Sequence, residues 1–330
     1  MAYDKRLYEL ADNEIKHRRL SAENALTSRI AEIEDKLPEI AEIRRQLSST
    51  SVELTKLIIR RDKNFKSSFE RIKNQNLQGQ EMIRSLLKKN GYPENYLEPA
   101  YFCPICHDTG IENDRRCSCF DKLLNNFAVQ KLNEEANMPH CNFEHFDLSY
   151  YDGKTENGVD CHSKMEKNFN FCKNYADVFS RNSTSLFLLG KTGLGKTHLS
   201  LSIAKKVTER GFTVAYGSLL NYLRIIEKEH FGRAENPETD TMQVLINTDL
   251  LILDDLGSEF RTSFSESALY NIINSRINLG LPTIISSNLS TSELQRSYND
   301  RIISRLFSVF TTLMFVGEDV RQIKRLRGEI

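Results

Sequence analysis

The stretch Leu186-Phe187-Leu188-Leu189-Gly190-Lys191-Thr192-Gly193-Leu194-Gly195-Lys196-Thr197-His198 decides the fold. Four apolar residues run into a loop that reads G-x-x-x-x-G-K-T, and helix formers follow from Leu199 to Lys206. This is the strand–loop–helix context of a phosphate-binding loop. Its glycines allow a sharp turn and a close backbone approach, so that successive N–H groups point at a polyanion. The helix start adds about half a positive charge. Lys196 is expected to reach the β- and γ-phosphates, and the Thr197 hydroxyl to ligate Mg²⁺. The expected contacts to ATP or ADP are Gly190, Thr192, Gly193, Leu194, Gly195, Lys196, Thr197, His198 and Asp254. A glycine-rich turn without a ligand is the bland alternative, disfavoured by the strand before it and the helix after it.

Downstream, Phe212 to Tyr216 reads as a strand and Leu219 to Lys228 as a helix. Leu250-Leu251-Ile252-Leu253 then runs into Asp254-Asp255. A continuous apolar run of this kind is a parallel strand buried on both faces, and ligands bind beyond the carboxyl ends of such strands. There Asp254 would hold Mg²⁺ through water, and Asp255 would orient or deprotonate an attacking water. After a helix from Ala268 to Ile277, Leu281 to Asn288 reads as the next buried strand. Asn288 at its end is placed to hold that water by hydrogen bond. Arg301 and Arg305 lie four apart on one helix face, ahead of a last strand from Thr312 to Val316. A cation set at a neighbouring subunit's γ-phosphate raises hydrolysis by about 10³–10⁵; solvated surface arginines are the alternative. No Asn-Lys-x-Asp guanine signature occurs, which argues against a GTPase. A polar-tipped strand after the carboxylate strand fits the additional-strand ATPases.

Upstream, a connecting region includes Met138-Pro139 and the aromatic residues Phe143 and Phe146, which can pack on a base or simply form core. A helix is expected from Lys164 to Ser180. Further back, Cys103-Pro104-Ile105-Cys106 and Cys117-Ser118-Cys119 suit a structural zinc ion, because paired thiolates on tight turns span tetrahedral vertices. His107 is an alternative to Cys117 or Cys119, and a redox Cys-x-x-Cys is the rival chemistry. A bound zinc contributes on the order of 10 kcal/mol to folding so small an element. Cys141, Cys161 and Cys172 read as small apolar residues.

From Tyr3 to Lys89 the chain is charged, glycine-poor and helical in pattern. Ile30, Ile33, Leu37, Ile40, Ile43 and Leu47 recur at spacings of three and four. A second set comprises Leu54, Leu57, Ile58, Phe65, Phe69, Ile72, Met82, Ile83, Leu86 and Leu87. Ser21-Ala22-Glu23 reads as a cap on the segment before it, Pro38 as an interruption, and Ser48-Ser49-Thr50-Ser51 as a break between helices. A seam this narrow favours a partner or self-association over a free-standing bundle.

Lys+Arg and Asp+Glu both total 45 in the 330 residues, so any nucleic-acid contact must come from a local patch. The amino terminus lacks the apolar core of a signal peptide, and no apolar run approaches the roughly 20 residues that span a bilayer. A cytoplasmic protein without membrane attachment is expected.

Taken together, Gly190–Thr197, Leu251–Gly257 (LILDDLG), Ser286-Ser287-Asn288, Asp300–Leu306 (DRIISRL) and Gly317-Glu318-Asp319-Val320-Arg321 resemble the helicase-loader branch of the AAA+ ATPases. This is the DnaC/DnaI group, with the transposition helper IstB as a near relative. The resemblance runs from about Met138 to the end. It implies an α/β fold, a P-loop parallel-sheet sandwich without a C-terminal lid, preceded by a helical domain with a small zinc site. It also implies Asn288 as sensor I, Arg305 as an arginine finger acting in trans with Arg301 beside it, and Arg321 as a candidate sensor II. The implied organisation is a helical helicase-interaction domain over 1–99, a zinc segment over 100–125, a connecting region over 126–175 and the ATPase domain over 176–330. The implied partners are a DnaB-type hexameric replicative helicase, single-stranded DNA and further copies of the ATPase domain, with Tyr222, Arg224, Lys228 and Phe231 as DNA-contact candidates. The expected function is ATP-dependent helicase loading, with weak hydrolysis stimulated by partner or DNA. A non-hydrolysing ATP-binding adaptor and a transposition helper are the alternatives.

Overall fold

Runs of apolar residues too continuous for a half-exposed strand form the centre of the molecule. The structure is a computed structural model that describes residues 3–60, 65–135, 141–232 and 240–329, with the side chains of 51–60, 65–67 and 135 excepted. Met138 and Pro139 therefore lie outside the described residues, as do the side chains of Leu54, Leu57, Ile58 and Phe65. The chain divides into two units, residues 12–120 and residues 1–11 with 121–330.

In chain order the elements are α1 (Lys5–Lys36), α2 (Pro38–Arg60), α3 (Phe65–Lys89), β1 (Ile111–Glu112), β2 (Arg115–Arg116), α4 (Ser118–Glu135), β3 (Thr155–Glu156), β4 (Val159–Asp160) and α5 (Cys161–Asp177). There follow β5 (Leu186–Leu189), α6 (Lys196–Glu209), β6 (Val214–Ser218), α7 (Leu219–His230), α8 (Thr241–Asn247), β7 (Leu250–Leu256), α9 (Ser263–Asn278), β8 (Thr283–Ser287), α10 (Thr291–Ser297), α11 (Asp300–Val309), β9 (Thr311–Met314) and α12 (Val320–Leu326). Among the described residues no helix is long and apolar enough to cross a membrane.

In the unit of residues 12–120, Ile33, Ile40 and Leu87 are fully buried and gather Leu37, Ile83, Leu86, Tyr92, Tyr96 and Leu97 around them. Ile33, Leu37 and Ile40 of the apolar seam belong to this core, and Ile30, Ile43 and Leu47 are half-buried outside it. Pro38 opens α2 at the first helical position, where its missing N–H costs nothing. Two expected breaks are absent. α1 runs straight through Ser21-Ala22-Glu23, and α2 through Ser48–Ser51. In the second case Ser49 and Thr50 donate their hydroxyls to the carbonyls of Gln46 and Leu47, at 2.7 and 2.6 Å, and so lie along the helix rather than capping it.

The other unit is built on a five-stranded sheet in the order β6-β7-β8-β5-β9, every pair parallel. Its phosphate-loop strand β5 is flanked by β8 and β9, and β8 separates it from the carboxylate strand β7. This is the AAA+ arrangement with an additional strand between the two motif strands, as the sequence leads one to expect. All four residues of β5 and all five of β8 are buried. Each edge meets an asparagine side chain. Asn133 of α4 donates to Val214 O and accepts from Tyr216 N, and Asn168 of α5 donates to Met314 O at 2.8 Å. Edge backbone left bare invites pairing with another chain, so these amides both cap the sheet and fix two helices to it.

Arg276 of α9 is 0% exposed. Its guanidinium donates to the carbonyls of Leu245, Ile246, Thr248 and Pro282 and to Thr283 Oγ1, at 2.6–3.0 Å. Burial pulls its pKa down to about 9 against the opposing pull of Asp249. The residue ties the C-terminal end of α8 to the start of β8. We expect Arg276→Ala to lower stability by about 3–5 kcal/mol, because it strands buried acceptors. Arg276→Lys should recover only part of that, lacking the planar fork. Thermal midpoints of the three proteins check this.

Candidate nucleotide site

Gly195 starts α6 at φ +86°, and a Cβ there would lie 2.7 Å from the Phe146 ring. Only glycine satisfies both the left-handed turn and the approach. Lys196 is thereby carried over the ends of β5, β7 and β8, where it is 5% exposed. Its ammonium donates to Gly190 O (2.6 Å), Lys191 O (2.8 Å) and Asn288 Oδ1 (2.6 Å). Asn288 in turn donates its Nδ2 to Asp255 Oδ1 at 2.8 Å. The phosphate-loop lysine, the residue after β8 and the second carboxylate of β7 thus form one hydrogen-bonded chain.

Asp254 and Asp255 occupy a register shift between β7 and β8, bounded by Leu253 and Leu256. Asp255 takes φ +59°, a left-handed conformation that aspartate tolerates better than most side chains. The turn sends the two carboxylates in different directions. Asp254, 6% exposed, accepts hydroxyls from Thr197 (2.9 Å), Ser286 (2.5 Å) and Tyr216 (3.1 Å). Asp255 lines an open cavity of about 380 Å³. Burial raises the pKa of Asp255, with Asp254 adding to the rise and Asn288, Lys196 and Arg321 opposing it. Burial likewise brings Lys196 down to about 8, with Asp255 and Asp254 pulling the other way and Arg321 adding to the fall.

Thr192, Gly193, Leu194, Gly195, Lys196, Thr197 and His198 also line that cavity, together with Asn288 and Arg321. Gly190 stands behind it as an acceptor for Lys196. Phe146 lines it, stacked on Tyr151 and Phe169, whereas Phe143 packs on the edge of Phe169 and does not line it. Arg301 and Arg305 do not reach it. Thr197 and Asp254 offer a hydroxyl and a carboxylate together, a donor pair that suits a hard cation such as Mg²⁺. Two hydroxyls that fix Asp254 from behind, those of Tyr216 and Ser286, escape sequence reasoning. A tyrosine inside a strand looks like core until the neighbouring strand is placed.

Against this geometry stand the comparisons with known proteins. The family model described as IstB-like ATP binding protein matches residues 130–313, more than half of the chain. The chain belongs to this family. Similar proteins include the replicative helicase loader DnaC of Escherichia coli (strain K12), 22% identical over 196 residues, which are 59% of this chain and 73% of that protein. The replicative helicase loader DnaI of Bacillus subtilis (strain 168) is 28% identical over 130 residues, 39% of this chain and 40% of that protein. The crystal structure of the DnaC helicase loader overlays with a TM-score of 0.44 at 20% identity, covering 53% of this chain and 98% of that one.

Two further groups of residues lie outside the family match or at its surface. The sulfurs of Cys103, Cys106, Cys117 and Cys119 lie within 4.8 Å of one another, with Cys103–Cys117 at 3.9 Å and Cys106–Cys119 at 3.4 Å. Zn–S bonds of about 2.3 Å set tetrahedral edges near 3.8 Å, so the four thiols fit a structural zinc ion, and none is in a disulfide. His107 is exposed against the Tyr101 ring and is not part of the group. The unforeseen residue here is Asp108, buried, whose carboxylate accepts the N–H groups of Phe102 and Cys103. Of the DNA-contact candidates on α7 and just after it, Arg224, Lys228 and Phe231 are exposed. Tyr222 is not: it is 2% exposed and packs on Gly217, where a Cβ would lie 2.6 Å from its ring. It belongs to the core and cannot stack on a base.

Two outcomes follow from this site. Tyr216→Phe should raise the Mg²⁺ concentration for half-maximal ATP turnover about tenfold, as loss of such supporting hydrogen bonds does, read from metal titrations at saturating ATP. Lys196 is largely protonated below about pH 8 and neutral above it in the free protein, while bound phosphates favour its charged form. ATP binding should therefore take up a proton at pH 9 but little at pH 7, and affinity should fall by up to about tenfold per unit through that window. Calorimetry in buffers of different ionisation enthalpy reads both.

Proposed function

We propose that this protein hydrolyses ATP to time the loading of a hexameric replicative helicase onto single-stranded DNA. The observation that carries the reading is the convergence of Lys196, Asn288 and Asp255 on one cavity while both candidate arginines lie outside it. Lys196 and the loop amides bind the phosphates, and Thr197 with Asp254 would hold Mg²⁺, which would neutralise charge on them. Asn288 and Asp255 orient a water whose oxygen attacks the γ-phosphorus. Asp255 accepts the water's proton, the bond to the β–γ bridging oxygen breaks, and ADP leaves with the electron pair. Completing that site requires a cation from another copy, so turnover depends on assembly, and Arg305 is the residue assigned to it, with Arg301 beside it.

The similarity to two proteins named replicative helicase loaders supports the choice of partner. The helices and zinc-binding cysteines of residues 12–120 would dock the helicase. Arg224, Lys228 and Phe231 offer the basic and aromatic mixture that single strands stack against. The family model's own description favours a second reading, a transposition helper of the IstB kind.

The test is co-purification of the full chain with a hexameric replicative helicase, followed by helicase transfer to single-stranded DNA with ATP. Wild type should support transfer, Lys196→Ala should abolish it, and Asp255→Asn should bind ATP yet lower turnover at least 100-fold. Association with a transposase instead of the helicase would favour the transposition helper. Absence of turnover with helicase and DNA both present would leave an ATP-binding adaptor.

A further inference from the structure

Arg305 is held differently from Arg276, whose guanidinium is sealed among backbone carbonyls, and from Arg321, which lines the open cavity. α11 packs Ile302 and Leu306 inward, and on the adjoining surface Arg305 lies half-buried against α9. Its Nε and Nη2 both donate to Asn274 Oδ1, at 3.0 and 2.7 Å. Nη2 also donates to the Tyr270 hydroxyl at 2.9 Å, and the guanidinium carbon sits 4.6 Å from the centre of the Tyr270 ring. Nη1 donates to Arg301 O at 3.1 Å. Tyr270 and Asn274 are one turn apart on α9, so a single helix face presents a hydroxyl, an amide oxygen and an aromatic face to one planar cation.

All of these acceptors are neutral. Among the described residues no carboxylate pairs with Arg305. That combination is informative. A carboxylate in place of the Asn274 amide would give a stronger, charge-assisted bond, yet the position that takes two of the guanidinium's donors holds an amide. Here the side chain's rotamers are frozen while its charge stays uncompensated. A group required to meet a phosphate needs both properties, since a resident carboxylate would compete with the incoming oxygens and a free side chain would lose entropy on meeting them.

We infer that Tyr270 and Asn274 are positioning residues that set the Arg305 guanidinium in place, with its charge unpaired, for the phosphates of a neighbouring copy. This rests on the assignment of Arg305 in the proposed function. Hydrolysis there accumulates negative charge on the bridging oxygen that leaves with ADP, and a pre-set cation stabilises it without reorganising.

The deciding substitution is Asn274→Asp, which keeps size and acceptor geometry but pairs the charge. In the full chain, with ATP, Mg²⁺ and oligo(dT), we expect kcat to fall about 100-fold. The KM for ATP should stay within about twofold, and the thermal midpoint should be unchanged or raised. Tyr270→Phe and Asn274→Ala should fall in the same sense, the former less. Mixing the Asn274→Asp protein, whose pocket is intact, with the Lys196→Ala protein, whose clamp is intact, should restore turnover at their shared interfaces. A merely structural defect would not be rescued. Wild-type turnover in Asn274→Asp, or slow turnover that mixing fails to rescue, overturns the clamp while Arg305→Ala remains slow. Wild-type turnover in Arg305→Ala overturns the assignment of Arg305 itself.

Discussion

An ammonium group sealed over the ends of three strands sets the terms for the rest of the molecule. Burying an isolated cation costs several kcal/mol, and Lys196 offsets this only because two loop carbonyls and the Asn288 amide oxygen take its three protons. Asn288 can be there only if β8 lies beside β5, and Asp255 can brace Asn288 only if β7 lies beside β8. The strand order is therefore more than a packing solution. It is the arrangement that brings a donor loop, an amide and two carboxylates within one hydrogen-bonded chain of the lysine. The asparagine side chains that close both sheet edges protect the same order from the outside.

Much of this was legible in the residues, for a physical reason. Strands buried on both faces are largely apolar, so β5, the first four residues of β7 and the Ile284-Ile285 pair of β8 announce themselves, and the polar residues that follow those of β7 and β8 mark the site. The glycine-rich loop is equally plain, since positive backbone angles and close approach leave few alternatives to glycine. What stayed hidden was decided by side chains whose role depends on a distant neighbour. Tyr216 is an ordinary strand aromatic until β7 brings Asp254 to its hydroxyl. Tyr222 is an amphipathic helix residue that suits a DNA surface on paper, yet the space above Gly217 takes it inward. Ser49 and Thr50 read as a break because hydroxyls cap helices. Bonded to carbonyls three residues back, they lie along one instead.

The unit of residues 12–120 follows a different logic. Among its described residues, Ile33, Ile40 and Leu87 form a fully buried apolar core, and Asp108 is a buried carboxylate that orders the chain by hydrogen bond. Held at φ +53°, it turns back to take two backbone N–H groups at the start of the cysteine loop. That fixes the backbone at Cys103. A knuckle braced by its own carboxylate would spend less of a metal's binding free energy on ordering the chain.

Arginine shows how little a residue type says without its acceptors. Arg276 is surrounded by carbonyls and sealed from solvent, so its charge serves only to knit α8, α9 and β8. Arg321 lines the nucleotide cavity, where burial depresses the Lys196 pKa and the Arg321 charge adds to the fall. Arg305 lies between these extremes, gripped like Arg276 yet placed at a surface like Arg321. The chemistry of the acceptor separates the three: carbonyls at a helix end carry a partial negative charge that settles the first, an open cavity leaves the second to a ligand, and an amide with a phenol hold the third without neutralising it. Since the chain as a whole carries no net charge, any attraction for phosphate must come from such local imbalances, and at Arg305 the imbalance is maintained by neutral acceptors.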